Sequence, residues 1–192
     1  MNLVHFEIKK SENLNSFINA WSMLYSYANE SVYKEAISKT IFNEEDVTSL
    51  LVWKNGMRLS NMKKNSLNKN ILSKLSVINT FKNSEHFNLE IFKEEFKDLS
   101  AVWKIFLLHI IKPDTYPIYD QHIHRTYLYI HKKDYSNLSN TSVNNKEKER
   151  FYFEEYLQFI RSSGIKDIKK LDEAFFAFGQ FLNTKNYKTL FT

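Results

Sequence analysis

A single run of apolar residues limits what this chain can fold into. Residues 99–111 read Leu-Ser-Ala-Val-Trp-Lys-Ile-Phe-Leu-Leu-His-Ile-Ile, and only Ser100, Lys104 and His109 interrupt the apolar character. A helix that is apolar on nearly every side must be surrounded by other elements of a core. The run is too short to cross a bilayer, which takes about 18 or more apolar residues. We therefore expect a buried central helix here and no membrane partner.

The scarcity of turn-forming residues predicts the fold class. Three glycines and two prolines in 192 residues provide little of the turn chemistry that a sheet protein needs. Most other segments show apolar residues at helical spacing. We expect an all-α protein in which residues 1–192 form a single helical domain, compact or two-lobed. The chain has no cysteine and its first residues are unlike a signal peptide, so the expected location is the cytoplasm.

The segment after the central helix contains both prolines and the start of another helix. Pro113 ends the preceding helix, and Pro117 keeps Tyr116 out of the helical region, so an extended crossover is expected. Asp120 then stands as the N-cap of a helix over 121–130, where apolar residues recur at helical spacing. On its own, an aspartate at a helix start indicates a cap and no chemistry.

Two polar segments and one glycine carry further expectations. Residues 58–70, rich in lysine and asparagine, indicate either a solvated connector or a loop that contacts phosphate. Residues 132–149 are polar and of low complexity, which predicts a surface loop. Gly179 interrupts an amphipathic helix at a cost of about 1 kcal/mol relative to alanine, so a close approach by another helix is expected there.

Two stretches in the second half of the chain carry a family resemblance. Residues 116–125 read Tyr-Pro-Ile-Tyr-Asp-Gln-His-Ile-His-Arg, and residues 171–179 read Leu-Asp-Glu-Ala-Phe-Phe-Ala-Phe-Gly. The first resembles the segment of the helix-hairpin-helix base-excision DNA glycosylases in which Pro-x-x-Asp carries the catalytic aspartate and an arginine follows. The second is similar to the late helix of that family, with its Asn/Asp-x-Ala-x-x-x-x-Gly pattern. The resemblance covers about residues 90–182 and is closest to the adenine-specific members.

The resemblance implies a DNA-binding protein of base-excision DNA repair in which Asp120 is the catalytic carboxylate that removes a flipped-out base. The family hairpin, Leu-Pro-Gly-Val-Gly, corresponds to residues 96–100, Phe-Lys-Asp-Leu-Ser, which lack its glycines. The expected phosphate contacts are Lys97, Ser100, Lys104 and His122. Ser100 falls at or near the lysine of strand-cleaving members, so monofunctional cleavage without lyase activity is expected. No cofactor is expected, because a chain without cysteine cannot hold the iron–sulfur cluster of many adenine-specific members.

The charge and the histidines leave other functions open. A net charge of +5 is compatible with nucleic acid but modest. The missing hairpin glycines favour an alternative, a helical module that keeps the glycosylase fold and binds nucleic acid or protein without chemistry. A metal-dependent hydrolase using Asp120 with His122 or His124 is a third possibility. Residues two apart diverge on a helix, however, so no metal site is expected. The expected state is a monomer.

Overall fold

The computed structural model describes residues 10–132 and 143–184, and every regular element within them is helical, as the sequence predicts. The α-helices in chain order are α1 (Leu14–Ser22), α2 (Glu30–Ile37), α3 (Glu44–Asn55), α4 (Asn61–Asn70), α5 (Leu75–Asn83), α6 (Leu89–Glu95), α7 (Ala101–Ile111), α8 (Gln121–Lys132), α9 (Asn145–Arg150), α10 (Leu157–Ser163) and α11 (Ile168–Asn183). A 3-10 turn, Leu72–Lys74, joins α4 to α5, and a π-helix, Phe151–Tyr156, joins α9 to α10. No helix in this part of the chain has the length and apolar character needed to span a membrane.

The described chain divides into two units. The major unit consists of residues 27–119 and 143–168, and it holds α2 to α7, α9 and α10. The three-helix unit consists of residues 10–26, 120–132 and 169–184, and it holds α1, α8 and nearly all of α11. Each unit is therefore assembled from segments that are distant in sequence.

Helix α7 forms the centre of the major unit. Ten of its eleven residues are buried, which confirms the central helix expected from the apolar run. It packs against α3, α5 and α9. Two of the buried residues, Lys104 and His109, are polar, and both are satisfied inside the unit. Lys104 Nζ lies 2.9 Å from Glu149 Oε1 of α9, and both ring nitrogens of His109 have partners.

The partners of His109 determine its tautomer. Nδ1 lies 2.7 Å from the carbonyl oxygen of Tyr116, which can only accept, so Nδ1 carries the proton. Nε2 lies 2.7 Å from the Tyr33 hydroxyl, and in the neutral ring it accepts the hydrogen bond of that hydroxyl. The imidazole ties α2 and the segment after α7 to the central helix.

Helix α3 shows how local signals fix the ends of an element. The Asn43 side chain accepts a hydrogen bond from the Asp46 backbone N–H, and the Asp46 carboxylate accepts one from the Asn43 N–H, which completes a capping box. At the other end, Gly56 adopts a φ of 70°, a left-handed conformation that glycine reaches without strain.

The two polar segments contain helices that the sequence did not predict. Residues 61–70 form α4, begun by the Ser60 side chain, which accepts from the Lys63 N–H. The surface-loop prediction for 132–149 is wrong for Lys132, which ends α8, and for residues 145–149, which belong to α9. Residues 133–142 lie outside the described residues. Asn144 caps α9 by accepting from the Glu147 N–H at 2.9 Å. Helix α9 packs against α7, a contact that its polar sequence does not predict.

An aromatic cluster holds the three-helix unit together. Phe178 of α11 lies at its centre and is almost fully buried. Its ring makes edge contacts with Phe17 and Trp21 of α1, at centroid distances of 5.1 and 4.8 Å, and with Tyr129 of α8 at 5.2 Å. One side chain of α11 thus joins all three helices, which is consistent with the preference of aromatic pairs for edge-to-face contacts.

Gly179 allows α8 and α11 to approach each other closely. A Cβ atom at position 179 would lie 2.0 Å from the carbonyl oxygen of His122 and 2.8 Å from its Cα. No side chain fits in that space, because the neighbour is backbone and cannot rotate away. The close helix approach expected from the sequence is confirmed, with α8 as the partner.

We expect the Gly179→Ala substitution to lower the free energy of unfolding by about 2 kcal/mol or more, because overpacking outweighs the gain in helix propensity. Urea unfolding followed by circular dichroism measures the change. The matched control is Gln180→Ala, at the exposed neighbouring position, which we expect to leave stability unchanged or slightly higher. A Gly179→Ala protein as stable as the parent would show that the two helices separate at no cost.

A partly buried lysine lies at the C-terminal end of α7. Lys82 Nζ donates to the carbonyl oxygen of Ile110 at 3.0 Å, and Lys112 Nζ donates to the carbonyl oxygen of Lys82 at 2.9 Å. Burial, and then the nearby charge of Lys112, lower the pKa of Lys82 from its ordinary value of 10.5 to about 8, with Asp114 opposing the shift. The folded protein therefore releases this proton at a lower pH than the unfolded chain does.

The lowered pKa of Lys82 predicts a stability that rises with pH. Between about pH 8 and pH 10.5 the unfolded chain binds more protons at this residue than the folded protein, so the unfolding free energy increases through that interval. We expect the stability of the parent relative to Lys82→Met to be greater at about pH 10 than at about pH 7.5. Lys64→Met, at an exposed position, is the control. A difference that falls with pH, or stays constant, would contradict the shift.

Candidate active site

Asp120 begins α8 and caps it. The Asp120 carbonyl oxygen accepts from the His124 N–H at 3.0 Å, and its Oδ1 accepts from the His122 N–H at 2.9 Å. This is the geometry of an N-cap, and it confirms that part of the prediction. The residue is only partly buried, and its backbone is fixed by the first turn of α8.

A buried arginine holds the first turn of α8 against α11. Arg125 Nη1 donates to the carbonyl oxygen of Gly179 at 3.0 Å and lies 2.8 Å from Nδ1 of His122. A guanidinium can only donate, so His122 Nδ1 is the acceptor, and in the neutral ring the proton is on Nε2. The edge of the His122 ring also packs on Phe176, with centroids 5.1 Å apart. The predicted phosphate ligand His122 is thus oriented from two sides, with Nε2–H as the ring donor.

The two stretches that carry the family resemblance contact each other in the three-helix unit. In addition to the Arg125 bond, the Thr126 hydroxyl donates to the carbonyl oxygen of Phe175 at 2.6 Å. Together with the fit of Gly179 against His122, these bonds connect residues 122–126 of α8 to residues 175–179 of α11. The sequence suggested both stretches separately, but only the fold shows that they form one structure.

The predicted hairpin is a tight connection between α6 and α7 in the major unit. Residues 96–100 contain the turn between the two helices, with the Leu99 N–H donating to the Phe96 carbonyl oxygen at 3.2 Å. Lys97 and Ser100 are both exposed on it. The Lys97 ammonium donates to Glu94 Oε1 at 2.5 Å, and this hydrogen bond raises the pKa of the lysine, so its charge is kept. These two side chains are placed where a ligand could reach them.

The N-terminus of α7 is less open than the sequence suggests. Ser100 is its N-cap residue, yet within the described structure the serine side chain does not cap it. The Ala101 N–H instead donates to the Asn145 side chain of α9 at 3.3 Å. Lys104, a predicted phosphate contact, is buried and paired with Glu149. Because that charge is already compensated inside the protein, Lys104 does not present it to a ligand.

The histidines do not assemble a metal centre in the described structure. Among residues 10–132 and 143–184, no three histidine, aspartate or glutamate side chains are grouped so that they could hold an ion. Nδ1 of His122 accepts from Arg125, and both ring nitrogens of His109 are engaged by Tyr33 and Tyr116. Nothing in this geometry supports the third possibility, a metal-dependent hydrolase.

Two buried side chains hold the crossover before Asp120, and the sequence assigned this role to neither of them. His109 donates to the Tyr116 carbonyl oxygen, and the Tyr152 hydroxyl donates to the Pro117 carbonyl oxygen at 2.7 Å. Tyr152 belongs to the π-helix. This form is rare in proteins, but where it occurs it is often at a functional site. Only the type of side chain could have pointed to these two hydrogen bonds, because a hydroxyl or imidazole that is buried needs a hydrogen-bond partner.

Comparison of the chain with protein-family models, with curated proteins and with solved structures finds no match. The geometry described above is therefore the basis on which a function is inferred.

We expect Tyr152→Phe to lower the free energy of unfolding by about 1 to 3 kcal/mol, because the buried carbonyl oxygen of Pro117 loses its donor while the ring is kept. Chemical unfolding of parent and variant measures the loss. A difference below about 0.5 kcal/mol would mean that water replaces the hydroxyl at this carbonyl.

Proposed function

We propose that this protein is a DNA-binding enzyme of the helix-hairpin-helix glycosylase type, and that Asp120 is its catalytic carboxylate. The observation that carries the proposal is the contact between the two resembling stretches. The Pro-x-x-Asp stretch begins α8, the late Ala-x-x-x-x-Gly stretch lies in α11, and Arg125 and Gly179 join them. The helical pair α6 and α7, linked by the hairpin at residues 96–100, supports the same assignment.

The proposed reaction is hydrolysis of an N-glycosidic bond in DNA. The target nucleotide must first leave the base stack, because its sugar carbon is out of reach inside a duplex. As the bond between the base nitrogen and the sugar carbon breaks, its electron pair goes to the base and the sugar acquires oxocarbenium character. The Asp120 carboxylate stabilises that positive charge and orients the water that attacks. The products are the free base, which takes up a proton, and an abasic site.

Each unit contributes its own proposed DNA contacts, the exposed hairpin in the major unit and the start of α8 in the three-helix unit. Lys97 supplies an exposed ammonium, whose surface ion pair with Glu94 is weak enough to be exchanged for a phosphate; Ser100 supplies a hydroxyl beside the first turn of α7, and His122 supplies Nε2–H. Phosphate contacts of this kind fix the register of a protein on DNA and carry no sequence information. Lys104 is left out because it is buried as well as paired with Glu149. With serine at position 100, the proposed activity is monofunctional and stops at the abasic site.

A specific observation favours the second candidate, a helical module that binds without chemistry. The Ala101 N–H at the start of α7 is already bonded to Asn145, so one backbone donor that could face a phosphate is occupied within the protein. If the site has lost its chemistry, Asp120 is only the cap of α8. The two candidates differ in the consequence of replacing its carboxylate.

We expect Asp120→Asn to keep the fold and the DNA affinity and to lose base release by about a hundredfold to a thousandfold. Asparagine caps a helix as well as aspartate does, so this substitution separates catalysis from folding. The measurements are release of free base from duplexes carrying a panel of damaged or mispaired bases, and affinity for a duplex with an abasic-site analogue compared with the intact duplex. The parent should prefer the abasic analogue.

The matched control is Asp167→Asn. Asp167 is exposed and stands directly before α11, as Asp120 stands before α8, and the substitution changes the charge equally. We expect it to retain base release. If the parent protein releases no base from the panel and shows no preference for the abasic duplex, the glycosylase proposal is rejected. The second candidate, the helical binding module, would then be the remaining one.

A further inference from the structure

Helix α4 of the major unit is exposed on almost every side. Only Leu67 is buried, and Ser66 and Asn70 are partly covered. On a helical projection the face opposite Leu67 is made of asparagine, lysine and one methionine. Its members are all exposed: Asn61, Met62, Asn65, Asn68 and Lys69, and Lys64, one turn before Leu67, is exposed at its margin. The helix therefore presents a surface of cations and amides that has no role in the core.

The stretch of sequence that contains α4 carries charge of one sign. From Val47 to Ser84 the chain contains no aspartate or glutamate, although it contains seven lysines and arginines: Lys54, Arg58, Lys63, Lys64, Lys69, Lys74 and Lys82. Arg58, Lys64 and Lys69 are exposed, and in the described part of the chain no carboxylate lies within ion-pair distance of them. Lys63 donates to the Asn55 side chain, which is neutral. These four cations, Arg58, Lys63, Lys64 and Lys69, with the outer face of α4, are called the α4 surface below.

Many other exposed cations of the major unit are neutralised by carboxylates. Lys39 pairs with Asp46 and Lys97 with Glu94, each at 2.5 Å, and Arg150 lies 2.8 Å from Glu155. These cations thus have carboxylate partners, whereas Arg58, Lys64 and Lys69 have none in the described part of the chain. Uncompensated charge of one sign on a surface raises the local concentration of a ligand with the opposite charge.

The composition of α4 is poorly suited to helix stability. Four of its ten residues are asparagine and one is serine, each costing about half a kcal/mol or more relative to alanine in a helix interior. Asparagine and lysine side chains are, on the other hand, common donors to phosphate oxygens in protein–DNA contacts. A helix that binds a membrane surface needs a broad apolar face, and the exposed residues of α4 include only one apolar side chain, Met62.

We propose that the α4 surface binds the phosphate backbone of duplex DNA and is a contact separate from the hairpin at residues 96–100. The choice of DNA rests on the proposed function. The charge pattern and the exposure of α4 hold whether or not Asp120 is catalytic. Four cations within twelve residues supply several phosphate contacts, and these carry affinity and not sequence preference.

The test compares two triple variants with equal charge. The α4 variant is Arg58→Gln, Lys64→Gln and Lys69→Gln; the control is Lys10→Gln, Lys34→Gln and Lys166→Gln, at exposed positions elsewhere. Each lowers the net charge from +5 to +2. Fluorescence anisotropy with intact and abasic-analogue duplexes of about 20 base pairs, over a salt series, gives the affinity and the salt dependence. Thermal unfolding checks that all proteins are folded.

We expect the α4 variant to raise the Kd for both duplexes by about tenfold or more at about 100 mM salt, with the ratio of the two Kd values unchanged. The slope of log K against log salt should become less steep by about 2 to 3, since each phosphate contact contributes about 0.9. The control should change the slope by less than about 1, and a second α4 variant, Lys64→Arg with Lys69→Arg, should bind like the parent.

The outcomes separate this inference from the glycosylase proposal. Equal losses in the α4 variant and the control would overturn the inference, because net charge alone would then explain the binding. An α4-dependent loss with no preference for the abasic duplex would support the α4 surface and count against the glycosylase. Binding to anionic phosphatidylserine vesicles that depends on the α4 residues, without any binding to duplex DNA, would also overturn the inference and assign the surface to a membrane.

Discussion

The major unit depends on compensating two polar side chains at its centre. A buried ammonium or imidazole without a partner costs several kcal/mol, so Lys104 and His109 can be inside only if their partners are in place. Those partners come from three other segments, since Glu149 lies on α9, Tyr33 on α2, and the Tyr116 carbonyl follows α7. The apolar surface of α7 drives its burial, and its polar groups decide which elements must surround it.

The sequence was most informative where the physical cause is local. The cap at Asp120 depends on residues within a few positions, and the apolar run of α7 is visible in its own composition. It was least informative for elements held by distant contacts. Helix α9 has a polar sequence and is held on α7 by Asn145 and Glu149, 44 and 45 residues from their partners.

The same distinction explains the candidate site. Asp120 could be predicted, because proline and aspartate signal a crossover and a helix start in the residues themselves. The burial of Lys104 could not, because a lysine within an apolar run has the same local pattern whether it faces solvent or a distant carboxylate. Tyr152 was missed for another reason. Phe153 and Tyr152 lie three and four residues before Tyr156, so helical spacing fits either, and only the fold shows that Tyr152 is the buried one.

The order in which the segments of the three-helix unit occur in the chain affects its synthesis. Helix α1 is made early, α8 in the middle and α11 late, yet Phe178 of α11 is the ring on which the other two helices pack. During synthesis on the ribosome, the aromatic faces of α1 and α8 therefore stay uncovered until α11 has been made. The major unit likewise needs α9, which follows α8. The two units therefore cannot fold in succession as the chain emerges. The nascent protein carries exposed aromatic surface until nearly all the described residues have been synthesised.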